Sequence, residues 1–164
     1  MQKILIVDTG GTFNKIYNPI TGELCVDTES KAIRTLAQQW RCELEPVSII
    51  GKDSLEMTSQ DRLELLATVH QSEYDKILIV HGTDTMDITA LYLNDAELEK
   101  RIVLTGAMVP FSIDPVEATA NFASAMGALS VSDEKGVFIA MNGVVDRFDK
   151  IIKNRTEGKF VYAS

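Results

Sequence analysis

Several features are missing from this sequence, and each omission removes a class of function. No stretch approaches the roughly 20 apolar residues needed to cross a bilayer, so a membrane-spanning chain is not expected. Lysine and arginine total 16 against 24 aspartates and glutamates, a formal charge of −8. Phosphate backbones and anionic lipid are bound by clustered basic side chains, so nucleic-acid and membrane partners are not expected either. The two cysteines, Cys25 and Cys42, lack metal-ligand spacing in a chain large enough to fold without a covalent staple, and are expected as reduced thiols. The first apolar run, in MQKILIVDTGG, is cut short by Asp8, and no small-residue cleavage site follows it; a cytoplasmic protein is expected. There is no internal repeat, low-complexity tract or linker, so residues 1–164 are expected to form a single domain around one ordinary core.

What is present reads as alternating strands and helices. Five short apolar runs are near-continuous and bounded by turn residues, the pattern of strands buried on both faces: Lys3–Asp8, Glu43–Ile50, Lys76–His81, Arg101–Thr105 and Gly136–Met141. Helical patterns fall between them at Ser30–Gln39, Ser59–Gln71, Thr85–Leu93 and Pro115–Leu129, with Thr58 before Asp61 as a start signal. The predicted fold is α/β: a three-layer, flavodoxin-like, mostly parallel sheet in the order 2-1-3-4-5. Two departures are expected. Phe13–Tyr17 and Glu23–Val26 flank Asn18-Pro19-Ile20-Thr21-Gly22, which predicts a β-hairpin after strand 1. Val144–Phe148 and Lys159–Tyr162 read as extra C-terminal strands.

Two stretches combine glycine with hydroxyl residues directly after a strand. Asp8-Thr9-Gly10-Gly11-Thr12 follows the first strand and His81-Gly82-Thr83-Asp84-Thr85 the third. In the order 2-1-3-4-5 those strands are neighbours, and ligands bind beyond their carboxyl ends, so the two motifs are expected to face each other. Glycine there permits left-handed backbone and close approach of a ligand. An alcohol is a weak nucleophile until a base withdraws its proton. His81 is one candidate, although a strand-end histidine is commonly structural. A lysine beside a carboxylate is another, since burial and the carboxylate act on its proton in opposite senses. Lys150 and Lys153 both follow the fifth strand.

These residues resemble the bacterial-type L-asparaginases and glutaminase-asparaginases. Thr-Gly-Gly-Thr at 9–12 resembles that family's first signature, His-Gly-Thr-Asp-Thr at 81–85 its second, and Leu104-Thr105-Gly106-Ala107-Met108 its next strand-end segment. The resemblance implies that Thr12 is the nucleophile and that Thr83, Asp84 and a downstream lysine form a second catalytic group; counting from Met141-Asn142 places that lysine at Lys153. It implies that Ser54 contacts the substrate's α-carboxylate, that Asp84 faces its ammonium group, and that Gly11, Gly82 and Ala107 border the amide. It assigns a catalytic tyrosine to the loop after the first motif, where Tyr17 is the nearest. The implied reaction hydrolyses an asparagine-like carboxamide through an acyl-enzyme, releasing ammonia, with no metal or organic cofactor. The implied partners are a small-molecule amide and further copies of the chain, as a homodimer or larger homo-oligomer.

The sequence also departs from the family. It ends at Ser164, whereas the family's chains continue into a second domain that supplies residues to a neighbouring subunit's site. Leu55 stands where some members have a polar substrate contact, and Val109 where an arginine commonly precedes the proline. An inactive amide- or amino-acid-binding module is therefore the main alternative. A weaker one is a sugar-kinase fragment, because Asp8–Thr12 before a hairpin also resembles a phosphate loop. The simpler readings are a tight turn for Gly10 and Gly11, helix capping for Thr83 and Thr85, a turn before the helix for Ser54, a solvated surface for Lys153, and core packing for Phe122, Met126, Phe138 and Met141.

Overall fold

The computed structural model describes residues 2–164. Strand β1 (Lys3–Gly10) leads into a hairpin, β2 (Lys15–Asn18) and β3 (Glu23–Val26), followed by α1 (Lys31–Ala37) and β4 (Glu43–Lys52). Then come α2 (Ser59–Gln71), β5 (Lys76–Val80), α3 (Met86–Asp95), β6 (Arg101–Thr105), α4 (Pro115–Ser130) and β7 (Gly136–Met141). Three short strands end the chain: β8 (Val144–Arg147), β9 (Ile151–Asn154) and β10 (Lys159–Tyr162).

The main sheet runs β4-β1-β5-β6-β7-β8. Its first five strands pair in parallel, and β8 folds back antiparallel on β7. Numbering the parallel strands along the chain gives 2-1-3-4-5, as expected, with β8 as an added edge. Parallel neighbours need long crossovers, and helices in those crossovers cover both faces, which is why β1, β5, β6 and β7 read as unbroken apolar runs. Strand β4, expected to be buried on both faces, is instead an edge strand with only exposed and part-buried residues.

Side chains alternate between the two faces and divide the interior into two cores. Ile4, Ile6, Leu78, Val80, Val103 and Phe138 pack with Ile33 of α1 and Phe122, Ala125 and Met126 of α4. Leu5, Val7, Ile77, Ile79, Leu104 and Met141 pack with Leu65 and Val69 of α2 and Ala90 and Leu93 of α3. Ile151 and Phe160 join this second core and hold the β9–β10 hairpin against it. Of the four Met and Phe positions read as core, Phe122, Met126 and Phe138 are buried in the first core and Met141 in the second.

Local chemistry sets the helix starts. Thr58 accepts from the Asp61 amide while Asp61 accepts from the Thr58 amide, a reciprocal cap for α2. Asp114 accepts from the Val116 amide at the start of α4, with Pro115 in its first turn. Helix α1 is shorter than the predicted Ser30–Gln39 because Ser30 adopts a left-handed backbone, φ 54°, and its hydroxyl engages Asp8 and Ser48 instead of capping. Strand β9 is an element that the charged stretch around it did not signal. Among the described residues, no helix is long and apolar enough to cross a membrane.

Candidate active site

The strand order brings the tips of β1 and β5 side by side, and glycine lets them touch. At Gly11, φ is 80°, and a Cβ there would lie 2.5 Å from the Gly82 nitrogen and 2.6 Å from Gly82 Cα. Each glycine immediately precedes a threonine of interest, Thr12 and Thr83. Gly10 is equally confined: its Cβ would fall 2.5 Å from the Lys52 carbonyl oxygen, and the adjacent Gly11 amide donates to that carbonyl at 3.0 Å. The first motif is thus clamped between β4 and the second motif, and half-buried Thr12 opens a short 3-10 turn over Thr12–Asn14.

Beneath that turn lies Asp8. One carboxylate oxygen accepts from the Gly10 amide at 2.9 Å and from Asn14 Nδ2 at 2.8 Å, and the other receives the Ser30 hydroxyl. Burial pushes the Asp8 carboxyl up to about 6, against the lowering effect of the Ser30 and Gly10 hydrogen bonds.

The second motif is held from below by a buried polar network. His81 is fully buried, and burial pushes its imidazole down to about 4, so it is neutral near pH 7. Its Nδ1 lies 2.6 Å from the Gly82 carbonyl oxygen, which only accepts, so Nδ1 carries the proton and Nε2 accepts from Thr89 Oγ1 at 2.8 Å. Arg62 donates from Nε to Thr89 Oγ1 at 2.9 Å and from Nη2 to Thr85 Oγ1 at 3.0 Å. A histidine so engaged is a strut, in line with the structural reading of His81. Thr85 does not cap α3 with its side chain; its hydroxyl donates to the Ser54 carbonyl at 2.9 Å and its amide to Ser54 Oγ at 3.2 Å. Ser54 begins a 3-10 turn, is 1% exposed, and packs where a Gly82 Cβ would be, 2.7 Å from its own Cβ.

Lys153 arrives from β9. Its Nζ donates to Thr83 Oγ1 at 2.8 Å and to Asp84 Oδ1 at 2.8 Å, joining residues 70 and 69 positions apart. Lys150 sits in the 3-10 turn that precedes β9, so of the two candidate lysines it is Lys153 that meets the second motif. The Lys153 hydrogen bond is the main reason the Asp84 carboxyl lies below the usual range, with Arg155 adding to it. Arg155 was not foreseen. Its Nη1 donates to Asp84 Oδ1 at 2.9 Å and its Nη2 to the Asp84 carbonyl at 2.8 Å.

A second relay places the hairpin that carries Lys153. Asn142, at φ 52°, donates from Nδ2 to Glu117 at 3.2 Å and accepts from the Phe160 amide at 2.9 Å. Phe160 is the cross-strand partner of Lys153. Glu117 also accepts from the Met108 amide at 3.0 Å, which fixes the loop after β6 where Ala107 is buried. A Cβ on Gly106 would lie 2.4 Å from the His81 carbonyl oxygen and 3.5 Å from Thr83 Cγ2, so this loop adjoins the second motif. Neither Glu117 nor Asn142 was singled out; the only trace in the sequence is that Asn142 follows a strand directly and precedes glycine, a turn signal.

The structure therefore brings together Gly11, Ser54, Gly82, Thr83, Asp84, Ala107 and Lys153, with Thr12 next to Gly11. Tyr17 is on β2 of the hairpin that follows the Thr12 turn, and is 63% exposed. Leu55 is 71% exposed beside Ser54. Cys25 and Cys42 are both free thiols. Among the described residues, no group of three or more His, Cys, Asp or Glu is arranged to hold a metal ion.

Comparison with known proteins gives the same result from sequence and from shape. The family model described as "Asparaginase, N-terminal" matches residues 3–161. The chain is 31% identical over 158 residues to a Haemophilus influenzae protein named "Probable L-asparaginase periplasmic", covering 88% of this chain and 44% of that one. It is 33% identical over 174 residues to a glutaminase-asparaginase of Pseudomonas fluorescens biotype A, covering 96% and 48%. The thermostable L-asparaginase of Thermococcus kodakarensis superposes with a TM-score of 0.82 at 25% identity, over 98% of this chain and 51% of that one. The chain thus spans about half the length of the curated relatives it matches. With the match running across nearly all of its residues, this chain belongs to the asparaginase family and corresponds to that family's amino-terminal domain.

Proposed function

We propose that the chain is an amidohydrolase that cleaves the side-chain carboxamide of an asparagine-like substrate, with Thr12 as nucleophile. One observation carries this reading: Lys153 Nζ stands 2.8 Å from both Thr83 Oγ1 and Asp84 Oδ1, beside a backbone contact that joins the Thr12 motif to the Thr83 motif. Thr12 Oγ1 attacks the amide carbon while its proton is handed on through the Thr83 hydroxyl, which Lys153 orients, to the amide nitrogen. Backbone amides stabilise the developing oxyanion, the amide nitrogen leaves as ammonia with a proton, and water then attacks the acyl-threonine to release the acid. Asp84 holds Lys153 in place. Tyr17, carried on the hairpin, assists at Thr12. Gly11 and Gly82 border the amide through backbone, and Ser54 and Ala107, each 1% exposed, form the wall behind it.

The same reading has residues 1–164 as one domain in a cytoplasmic homodimer or larger homo-oligomer. Membership of the asparaginase family removes the sugar-kinase alternative. The test is acid quench of the chain during turnover of asparagine or glutamine, followed by peptide mass analysis. An acyl adduct on the peptide containing Thr12, absent in Thr12→Ala together with ammonia release, is the expected result. An adduct on another residue, or ammonia release by Thr12→Ala, overturns it.

A further inference from the structure

Asp8 is a buried carboxylate to which the proposed reaction gives no role, and its contacts bracket the nucleophile. Its Oδ1 accepts from the Gly10 amide at 2.9 Å and from Asn14 Nδ2 at 2.8 Å, so a single oxygen holds the residues two before and two after Thr12. The Asn14 amide serves only in this orientation: turned over, its Oδ1 would face the Asp8 carboxylate and the Gly10 carbonyl, both acceptors. As oriented, Asn14 Oδ1 is buried with no partner among the described residues, which costs stability that the Asp8 contact offsets. The other Asp8 oxygen, Oδ2, takes the Ser30 hydroxyl, and Ser30 Oγ lies 2.7 Å from Ser48 Oγ. Ser48 is exposed, so two hydroxyls connect the buried carboxyl to solvent and let it follow the pH.

No cation neutralises Asp8. The lysines on the elements around it, Lys15, Lys31 and Lys52, are paired with Asp53, Glu29 and Asp61. His81, after the neighbouring β5, is neutral near pH 7. Asp27, which lines the same cavity of about 140 Å³, adds a like charge. Burial, with this repulsion added, raises the Asp8 carboxyl to about 6. Near pH 7 the group is thus held ionised at a cost to the fold, a burden typical of residues that serve a site rather than packing.

We propose that Asp8 is the positioning residue for Thr12: its ionised carboxylate holds the nucleophile's turn in the reacting geometry, and proton uptake at Oδ2 slackens that turn. The inference rests on the reading of Thr12 as nucleophile. The proton comes from solvent by way of the two serines. It settles on Oδ2 and is donated to Ser30 Oγ, while the Ser30 hydroxyl turns to donate to Ser48. Oδ1 then accepts from Gly10 and Asn14 as a neutral oxygen, and both hydrogen bonds lose roughly half their strength. Turnover slows because Thr12 is less well placed, while the groups that hold the substrate are untouched.

The test measures kcat and KM for ammonia release from asparagine as a function of pH, on the wild-type chain and on Asp8→Asn, whose amide reproduces the protonated carboxyl. Wild-type kcat is expected to fall about fivefold or more between about pH 7.5 and about pH 5, with KM constant within about twofold. Asp8→Asn is expected to run at the low-pH rate throughout, without the inflection. Ser30→Ala removes a hydrogen bond that favours the ionised form, so its inflection is expected at higher pH than that of the wild type. A flat wild-type profile, an inflection that survives in Asp8→Asn or stays in place in Ser30→Ala, or a change confined to KM overturns the proposal. Should Asp8→Asn fail to fold, the Ser30→Ala inflection decides. NMR resonances of the Gly10 amide and the Asn14 side-chain amide, followed over the same range, separate this failure from failure of the hydrolase reading. If no ammonia is released at any pH but both resonances titrate in the wild type and not in Asp8→Asn, hydrolysis falls and the hold of Asp8 on the turn stands. Resonances that do not titrate overturn that hold as well.

Discussion

A methyl group at Gly11 probes the contact on which the site depends. A Cβ there would meet the Gly82 nitrogen at 2.5 Å, Gly82 Cα at 2.6 Å and the His81 carbonyl carbon at 3.1 Å, all of them backbone atoms that cannot rotate aside. Restoring van der Waals spacing requires the two motifs to separate by roughly 1 Å. The φ of 80° adds a left-handed penalty of about 1–2 kcal/mol, and overpacking a further 1–3 kcal/mol. Gly22 provides a matched control, since its φ of 73° carries the same backbone penalty while nothing lies within 4 Å of its missing Cβ. Gly22→Ala should therefore lower the thermal midpoint by about 2–8 °C and leave ammonia release at saturating substrate unchanged. Gly11→Ala should lose more stability and about 10²-fold in kcat, because a misplacement of that size disrupts a reacting geometry. The two variants need only circular dichroism melts and an ammonia assay. Equal kcat in Gly11→Ala and Gly22→Ala would refute the reasoning, since the contact would then have no bearing on the chemistry.

Other expectations follow from the same geometry. Thr12→Ala and Lys153→Met should each abolish ammonia release while retaining the wild-type circular dichroism spectrum, and Thr83→Ala should be nearly as damaging, with the double variant Thr83→Ala/Lys153→Met no worse than either alone. Asp8, whose carboxyl is raised to about 6 in the folded chain, is more readily protonated folded than unfolded, so it adds stability as pH falls from about 6 toward 4. Asp8→Asn removes that dependence: measured by denaturant titration, the variant should gain on the wild type between pH 4 and pH 7, by about 2–3 kcal/mol at the top of the window. His81 acts in the opposite sense, since its imidazole is lowered to about 4 and its contribution is lost as pH falls from about 6.5 toward 4. Its ring resonances should show no titration between pH 8 and pH 5.5 in NMR spectra. Asn142→Ala should free the hairpin from Glu117 and reduce kcat more than it raises KM, because Lys153 is displaced while the substrate's other contacts remain.

The parts of this arrangement that were legible in the sequence are those governed by local chemistry. Buried strands declare themselves as unbroken apolar runs, Thr58 and Asp61 announce a helix start, and glycine beside threonine after a strand marks a turn that something must approach closely. The strand order 2-1-3-4-5 is one of the two common doubly wound orders, and it brings Gly11 and Gly82 together. Lys153 was placed by resemblance, since no local pattern separates it from Lys150. Arg62 looks like one more charged residue on α2; its burial against Thr85 and Thr89 exists only in the packed molecule. Asn142 and Arg155 act across 18 and 71 positions of chain, and their partners cannot be read from neighbours in sequence. Strand β9 was hidden for a related reason: Ile151-Ile152-Lys153-Asn154 carries too short a pattern to identify itself without Phe160 paired opposite.

The central claim is that Thr12 and the Thr83–Lys153–Asp84 group act on one amide. A crystal structure with bound aspartate, the product of the proposed reaction, tests it most directly. The account predicts a carboxylate of the ligand within hydrogen-bond reach, about 2.6–3.2 Å, of both the Thr12 and Thr83 hydroxyls. Aspartate bound elsewhere, or touching one threonine with the other turned away from it, would contradict the account.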